Sequence, residues 1–168
     1  MRRIGILSDT HGSFDERLYD FFAECDELWH AGDIGTYALA EEMAAFKPLR
    51  AVFGNMDGGD TRIVYSKLLR FKCEDVDVLM THIGGYPGRY EPDIFRQICN
   101  RPPDLFIAGH SHILKVMPDR HFGLLHINPG AAGNSGFHQV KTAVRLTIDG
   151  KNIKDLDVWQ KERSRMPL

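Results

Sequence analysis

Short apolar runs alternate with helix-like segments over the first two thirds of the chain. The runs 2–8, 27–32 and 49–54 predict strands, because each is only a few residues long and is followed by glycine or polar residues. Residues 14–25 and 36–46 separate these runs and place apolar side chains at helical spacing, so they predict helices. This part of the chain is therefore expected to alternate strand and helix.

Local residues predict where the first helix begins and where the second helix ends. Ser13 is the expected N-cap of the first helix, and Glu16, three residues on, completes a capping box with it. Pro48 ends the second helix, because proline cannot continue the helical hydrogen bonding.

The later part of the chain changes to paired strands. One hairpin is expected to turn at 74–75, followed by a helix over 91–100 and a strand over 104–110. Asp149 and Gly150, lying between two alternating apolar runs, give a strong hairpin signal. The later predicted pairs are 114–119 with 123–128 and 140–149 with 151–159.

This order of elements is typical of a layered α/β protein with mixed sheets, not purely parallel ones. The chain has 168 residues, the length of one domain, so residues 1–168 are predicted to form a single domain. Only the basic segment 161–168 is expected to be a frayed tail.

Composition and charge limit the cellular environments and the classes of partner that this protein is expected to have. Hydrophobic residues make up 43% and charged residues 26%, with a net charge of -2, which argues against a broad basic surface for duplex nucleic acid. No apolar run approaches membrane-spanning length, so no membrane partner is expected. Cys25, Cys73 and Cys99 lack paired spacing and are expected to be reduced thiols in a cytoplasmic protein. Association into a homo-oligomer stays open.

Ligand-type side chains follow five successive predicted strands. In open α/β sheets the carboxyl ends of strands line the crevice where ligands bind, so these residues can converge although they are far apart in sequence. Glycine or another small residue beside them allows a close approach of backbone and ligand. In chain order they are Asp9, His11, Asp33, Asn55, His82, His110 and His112.

The spacing and chemistry of these residues predict a two-metal centre. Residues i and i+2 of an extended segment point to one face, so His110 and His112 are expected to face one point, as are Asp9 and His11. Seven carboxylate, imidazole and amide donors are too many for one tetrahedral zinc ion, and they suit Mn²⁺, Fe²⁺, Zn²⁺ or Ni²⁺ in five- or six-coordination. Seven ligands fit two ions about 3.5–4 Å apart that share a carboxylate, an arrangement used for phosphoester hydrolysis.

At these residues the sequence resembles the calcineurin-like metallophosphoesterase superfamily. The segments SDTHG, AGD, GNMD, TH and GHSH match, in order, that superfamily's D-x-H, G-D, G-N-x-[DE], H and G-H-x-H motifs. The match runs from Asp9 to about Gly130, and five ordered motifs are far more specific than any one of them. The short chain and its SDTHG start resemble the compact bacterial and archaeal phosphodiesterase branch, whose fold also serves a retromer subunit in eukaryotes.

The resemblance implies a fold, a cofactor and roles for the ligands. The fold would be a four-layer αββα sandwich of two mixed β-sheets flanked by helices. Two divalent ions, with Mn²⁺ the first candidate, would hold a hydroxide that attacks phosphorus in line. Asp33 would bridge the ions and form the catalytic set with Asn55 and His82. One ion would take Asp9, His11, Asp33 and His112, and the other Asp33, Asn55, His82 and His110.

Three positions depart from the family pattern. The larger enzymes carry a histidine after the motif asparagine, thought to act as a general acid or to hold substrate, whereas this chain has Met56. The compact branch usually lacks that histidine as well. Ile83 follows the motif histidine where the branch often has glycine, and Ala131 replaces the serine of an NPGS turn. The source of the proton for the leaving group is therefore open, and if another residue supplies it, His138 or a water held by Asp57 is the first candidate.

Polar residues beside the motifs have two interpretations. Asp57 either forms the turn or, as we favour, contacts the side chain of Asn55 or His82 and orients it for metal binding. The segment after His82 is either a plain loop or a segment whose Tyr86 and Arg89 contact substrate phosphate.

The remaining histidines are not expected to bind metal. His30 lies before the ligand position of its strand and alternates away from it, so it is expected in the core. His121, His126 and His138 fall in hairpin regions and are expected to be surface or structural residues.

The leading functional hypothesis is a metal-dependent phosphoric ester hydrolase, specifically a phosphodiesterase acting on a small phosphoester. The alternative is a non-catalytic, metal-binding scaffold for protein interactions with the same fold, like the retromer subunit. Loss of metal ligands would be the clearest sequence sign of such a scaffold, and this chain keeps all seven. A nuclease acting on structured nucleic acid is a third hypothesis, which the missing basic patch disfavours.

Overall fold

The computed structural model describes residues 1–163, which form two five-stranded mixed sheets, a small hairpin and four helices. The strands are β1 (Arg2–Leu7), β2 (Glu27–His30), β3 (Leu49–Ala51), β4 (Leu68–Cys73), β5 (Val76–Thr81), β6 (Gly85–Tyr86), β7 (Arg89–Tyr90), β8 (Leu105–Ile107), β9 (Leu114–Asp119), β10 (Leu124–Pro129), β11 (Val140–Asp149) and β12 (Asn152–Glu162). The helices are α1 (Arg17–Phe21), α2 (Tyr37–Phe46), α3 (Gly59–Val64) and α4 (Pro92–Asn100).

Both sheets mix parallel and antiparallel pairs. The first has the order β12-β11-β1-β2-β3, in which β1, β2 and β3 run parallel and β11 pairs antiparallel with both β1 and β12. The second has the order β4-β5-β8-β10-β9, in which β5, β8 and β10 run parallel and the edge strands run antiparallel. The parallel strands of each sheet are followed, at their carboxyl ends, by the segments that contain the predicted metal ligands.

The main core lies between the two sheets. Side chains alternate along each strand, so β1 directs Ile4 and Ile6 toward the second sheet while Leu7 lies on the outer face. Burying each such aliphatic side chain contributes about 1.5–3 kcal/mol. The facing residues include Ile4, Ile6, Trp29 and Val144 of the first sheet and Val78, Met80, Leu105, Ile107 and Ile127 of the second.

Helices cover the outer face of each sheet. Leu18 of α1 and Met43 of α2 pack against the first sheet around Leu28. Ile94 and Ile98 of α4 pack against the second sheet. The predicted four-layer αββα arrangement of two mixed sheets is thus confirmed.

The first helix is shorter than predicted and starts differently. It spans Arg17–Phe21, not 14–25, and its N-cap is Glu16 without a side-chain cap. Ser13 accepts a hydrogen bond from Asn134 instead. The first turn is instead held by Asp15, whose Oδ1 accepts the N–H of Arg17 over 3.0 Å and whose Oδ2 pairs with the ammonium of the distant Lys141 over 2.7 Å.

Other local predictions are confirmed or corrected by the sheets. The helix predicted over 36–46 forms as α2, with Thr36 as an N-cap that accepts the N–H of Leu39, and the hairpin predicted at 74–75 forms between β4 and β5. The helix α3 and the β6–β7 hairpin were not predicted, because both are too short to show periodicity. The predicted frayed tail begins too early, since Lys161 and Glu162 pair with β11; residues 164–168 lie outside the described part.

Among residues 1–163, no helix is long and apolar enough to cross a membrane.

Candidate metal centre

The candidate site lies where parallel strands of both sheets end. Asp9 and Asp33 follow β1 and β2 of the first sheet, and His82 and His110 follow β5 and β8 of the second. The N–H of Asp9 donates to the carbonyl of Gly32, which ties the first two loops together over 2.9 Å. The sheets meet at this edge, because the N–H of His110 donates to Oδ2 of Asp9 over 3.1 Å.

Six of the seven predicted ligands gather in two clusters of three. The first cluster is Asp9, His11 and His112, and the second is Asp33, His82 and His110. Within each cluster, one potential ligand atom per residue lies within 4.8 Å of the others. A carboxylate with two imidazoles is a donor set that divalent transition metals accept. The structure therefore has two candidate metal sites.

Asp33 lies between the clusters. Its Oδ2 is 3.2 Å from Nε2 of His82 in its own cluster and 3.7 Å from Nε2 of His11 in the first cluster. Its Oδ1 accepts the N–H of Met56 over 2.8 Å, which fixes the plane of the carboxylate. One oxygen atom is thereby directed toward both clusters, the arrangement that a bridging ligand requires.

Two buried polar atoms at the centre have no hydrogen-bond partner among the described residues. They are Oδ1 of Asp9 and Nε2 of His82. The nearest groups of opposite character, His112 for Asp9 and Asp33 for His82, lie at 3.2 Å without the alignment that a hydrogen bond needs. An unpaired buried polar atom is costly, and most have a partner in native proteins. A metal ion at each cluster would satisfy both atoms, so the residues fit the implied cofactor.

The imidazole of His82 is oriented from behind by the backbone. Its Nδ1 lies 2.8 Å from the carbonyl oxygen of Ala31, and because a carbonyl only accepts, Nδ1 carries the proton and donates it. In the neutral ring the lone pair is then on Nε2, the atom directed into the site. Supporting contacts of this kind are typical of metal-binding histidines.

The local charges favour a cation. Burial opposes ionisation of Asp9, but His112 and His82 outweigh burial and lower the pKa of its carboxyl. Burial also opposes ionisation of Asp33, and His82 and the N–H of Met56 together lower its pKa. Burial lowers the pKa of His82, but the two carboxylates outweigh burial and raise it. Two ionised carboxylates therefore lie within reach of one imidazole nitrogen, with Oδ1 of Asp9 3.8 Å and Oδ2 of Asp33 3.2 Å from Nε2 of His82.

The ligand-bearing loops are not extended, which corrects the predicted geometry. Five ligand residues adopt the left-handed backbone conformation, which non-glycine residues occupy rarely and at a cost. The prediction that i and i+2 face one point therefore fails for His110 and His112, which join different clusters, although Asp9 and His11 do share one. The five φ angles are 53° at Asp9, 46° at His11, 55° at Asp33, 73° at His110 and 62° at His112.

Asn55, the seventh predicted ligand, lies in the turn after β3. Asn55 is exposed, and together with His82 it lines a cleft of about 970 Å³ beside the second cluster. Arg62 and Lys67 also line this cleft. The structure thus places Asn55 on the wall of the same cleft as His82.

Asp57 supports the loops and not the ligand side chains. Its Oδ2 accepts the N–H groups of Gly54 and Ile34 at 2.9 and 3.1 Å, and its Oδ1 accepts the N–H of Gly35 at 2.9 Å. These bonds join the turn after β3 to the loop that carries Asp33. The expected contact with the side chain of Asn55 or His82 is replaced by this backbone role.

The two predicted substrate contacts are placed differently. Tyr86 lines a second pocket of about 250 Å³ together with His110, and the ammonium of Lys115 lies 3.7 Å from the centroid of the Tyr86 ring. Arg89 is exposed on β7 and lines neither this pocket nor the larger cleft. Tyr86 is thus the better placed of the two for contact with a ligand.

His30 lies behind the site and outside both clusters. It is fully buried, and the N–H of Gly32 donates to its Nδ1 over 3.0 Å. The ring proton is therefore on Nε2, which donates to the hydroxyl of Thr10 over 3.0 Å, and that hydroxyl donates to the carbonyl of Ile34. Burial lowers the pKa of His30 to about 4.

His30→Gln should leave the metal content unchanged and reduce the acid sensitivity of folding. Unfolded histidine takes up a proton near its ordinary pKa of about 6.5, whereas folded His30 does so only at about 4. Its contribution is complete above about pH 6.5 and falls by roughly 3 kcal/mol as the pH decreases to about 4. Urea unfolding at about pH 7 and about pH 5 should differ less in the variant than in the wild type.

A residual dependence on pH should persist in that variant, because burial also lowers the pKa of His126 to about 4. Loss of one equivalent of metal from His30→Gln would contradict the prediction and make His30 a ligand.

The sequence did not predict one contact beside the clusters. His121 is exposed and His126 is buried against Phe106, as expected for surface or structural histidines. His138 was given the same assignment, but its Nδ1 lies 3.0 Å from Nδ1 of His112. No local pattern marks this contact, because the two residues are 26 positions apart and the loop before His138 has no periodicity.

Known proteins are similar to this chain in sequence and in fold. Residues 1–151 match the model of the calcineurin-like phosphoesterase superfamily domain. A protein of Methanothermobacter thermautotrophicus named "Probable metallophosphoesterase" is 28% identical over 157 residues, which cover 89% of this chain and 88% of that protein.

Two solved structures have the same architecture at low identity. An archaeal phosphodiesterase is 21% identical, with a TM-score of 0.70 over 94% of this chain and 99% of that chain. Wild-type Vps29 of Entamoeba histolytica, complexed with Zn²⁺, is 12% identical, with a TM-score of 0.75 over 96% of this chain and 99% of that chain.

Proposed function

Because this chain belongs to the calcineurin-like phosphoesterase superfamily, we propose that it is a phosphodiesterase that hydrolyses a small phosphoester at a dinuclear metal centre. The observation that carries the proposal is the carboxylate of Asp33, whose Oδ2 lies between His11 of the first cluster and His82 of the second. We propose Mn²⁺ as the ion, with Fe²⁺, Zn²⁺ and Ni²⁺ as alternatives that the same donors accept.

Each side of the proposed site has a distinct task. Two bound ions would supply Lewis acidity, neutralising charge on the phosphoryl oxygens and activating water. Asn55 and His82 would hold the ion nearer the cleft, and the cleft would receive the leaving group. Its volume of about 970 Å³ is ample for a small molecule, and Lys67 places a positive charge on its wall.

The guanidinium of Arg62 holds the turn that carries Asn55. It donates to the backbone carbonyls of Gly54 and Asn55 at 3.5 and 3.4 Å and stacks over Phe53 at 4.6 Å from the ring centroid. Nε and one terminal nitrogen are thus engaged with the turn, and we assign Arg62 to loop support.

The direct test is hydrolysis of bis(p-nitrophenyl) phosphate by metal-free protein to which Mn²⁺ is added back. We expect turnover that requires the metal and stops on addition of a chelator, with the diester preferred over p-nitrophenyl phosphate because the extra charge of a monoester would bind two cations too tightly. A protein that holds two ions but hydrolyses neither ester would refute the proposal and favour a non-catalytic scaffold.

The rate should depend steeply on the leaving group. Breaking the ester bond leaves an oxyanion, and a positioned acid typically contributes about 10²–10⁴-fold to such a step. Met56 cannot donate a proton and its side chain is 68% exposed, while both oxygens of Asp57 are occupied by backbone N–H groups. We therefore expect p-nitrophenyl diesters to react faster than alkyl diesters by at least this factor.

Met56→His tests the same point by adding an acid, with Met56→Gln as the matched control that cannot act as one. The histidine variant should flatten the dependence on leaving-group pKa, and the glutamine variant should not. Equal rates for alkyl and aryl diesters in the wild type, with the chemical step limiting, would mean that another residue supplies the proton.

A further inference from the structure

The loop between β10 and β11 closes over the first metal cluster. The N–H of Ala132 donates to the carbonyl of Ser8 over 2.9 Å, and the N–H of Gly133 donates to the carbonyl of Asp9 over 3.2 Å. Gly136 packs against His112 so closely that a Cβ there would lie 2.3 Å from two atoms of the imidazole. The ring of His112 is therefore enclosed by this loop on the side away from Asp9.

His138 makes the polar contact between this loop and His112. The two Nδ1 atoms are 3.0 Å apart, and Nε2 of His138 lies 2.7 Å from the carbonyl oxygen of Gly133. The rings meet edge to face, with centroids 5.0 Å apart. His138 thus connects the backbone of its own loop to the imidazole of a predicted metal ligand.

The direction of each hydrogen bond follows from donor counting. The carbonyl of Gly133 can only accept, so Nε2 of neutral His138 carries the proton and its Nδ1 is an acceptor. His112 must then donate from Nδ1. Its lone pair is left on Nε2, which lies 3.2 Å from the unpaired Oδ1 of Asp9. The chain of bonds presents His112 in the one neutral tautomer that can bind a metal beside Asp9.

We propose that His138 is a positioning residue that fixes the tautomer and ring orientation of His112 for the metal ion of the first cluster. The inference rests on the dinuclear centre of the proposed function, though not on the reaction. His82 of the second cluster has the corresponding support from the backbone carbonyl of Ala31. The orientation of His112 in the first cluster therefore depends on a side chain that can be substituted, whereas the orientation of His82 in the second cluster depends on a backbone carbonyl.

Two amide variants separate the two hydrogen bonds of His138. In His138→Asn the amide oxygen takes the place of Nδ1 and can accept from His112, while the bond to Gly133 is lost. In His138→Gln the amide nitrogen takes the place of Nε2 and can donate to Gly133, while the acceptor for His112 is lost. The pair thus differs in the one contact that the proposal requires.

The measurement is Co²⁺ titration of the metal-free protein, followed by visible absorption and without substrate. Loss of a supporting partner of a metal ligand typically costs about 10–100-fold in affinity. His138→Gln should weaken one of two binding steps by this factor and leave the other unchanged, whereas His138→Asn should stay within a few-fold of the wild type. Wild-type affinity for both steps in His138→Gln would overturn the proposal.

Thermal unfolding of the metal-free variants distinguishes positioning from a merely structural role. Equal affinity losses in both variants, in parallel with lower unfolding temperatures, would overturn the proposal. Should either variant fail to fold, ¹⁵N-histidine spectra of the Zn²⁺-loaded wild type decide the matter. His112 protonated at Nδ1 and bound through Nε2 supports the assignment, and the reverse tautomer refutes it. Because no substrate is involved, these results are separate from the test of phosphoester hydrolysis.

Discussion

Asp33→Asn is expected to deprive the protein of both metal ions. The substitution keeps the shape of the side chain and an oxygen for the N–H of Met56, but it removes the negative charge that Oδ2 directs toward His11 and His82. Both clusters share that charge, so affinity at each should fall by more than the roughly 10–100-fold that the loss of a supporting contact costs. Metal-to-protein stoichiometry after dialysis against Mn²⁺ measures the effect.

Single-cluster changes provide the comparison for this variant. His11→Gln and His110→Gln each alter one cluster and should lose about one ion, leaving the other bound. Unfolding in the presence of chelator should show that Asp33→Asn still folds, because its packing is unchanged. If the asparagine variant retains both ions and remains active, Asp33 is not the shared ligand.

Gly54→Ala is expected to be nearly as damaging, although glycine contributes no ligand. A Cβ at this position would lie 2.1 Å from Oδ1 and 2.4 Å from the backbone nitrogen of Asp33, closer than atoms can approach. The Asp33 loop cannot easily retreat, because Asp57 holds both Ile34 and Gly54 through their N–H groups. We expect loss of metal and of activity, with a cost in stability of roughly 1–3 kcal/mol or more.

Gly58→Ala is the matched control for this steric argument. It lies four residues further along the same turn, has an extended φ of -145° and leaves open space around an added Cβ. Metal content should match that of the wild type, and because Gly58 is the N-cap of α3, stability should fall by no more than about 1 kcal/mol. A Gly54→Ala protein that behaves like Gly58→Ala would show that the loop yields more easily than its hydrogen bonds indicate.

Local sequence predicted the elements whose own residues determine them. Helix α2 has a capping threonine, helical spacing and a terminating proline, and the hairpin at Asp149 and Gly150 has its turn residues in place. The start of α1 depends instead on Asp15, which accepts the N–H of Arg17 and also pairs with the distant Lys141; no local pattern contains the second contact.

The candidate site divides in the same way. Its ligands were found because each follows a strand and belongs to an ordered set, and the parallel strands then brought six of them together. Their left-handed backbone was not predictable, since tertiary contacts impose it against the preference of Asp and His. His138 was missed for a related reason, because its significance lies wholly in a contact with His112.

Each candidate metal site draws its ligands from both sheets. The first combines Asp9 and His11, which follow β1, with His112, which follows β8; the second combines Asp33, after β2, with His82 and His110. Neither donor set is complete until the two sheets have packed together, so a bound ion would cross-link one sheet to the other. Metal supply would then raise the free energy of unfolding of the docked sheets, since every tenfold rise in free ion above the dissociation constant adds about 1.4 kcal/mol of stability for each site.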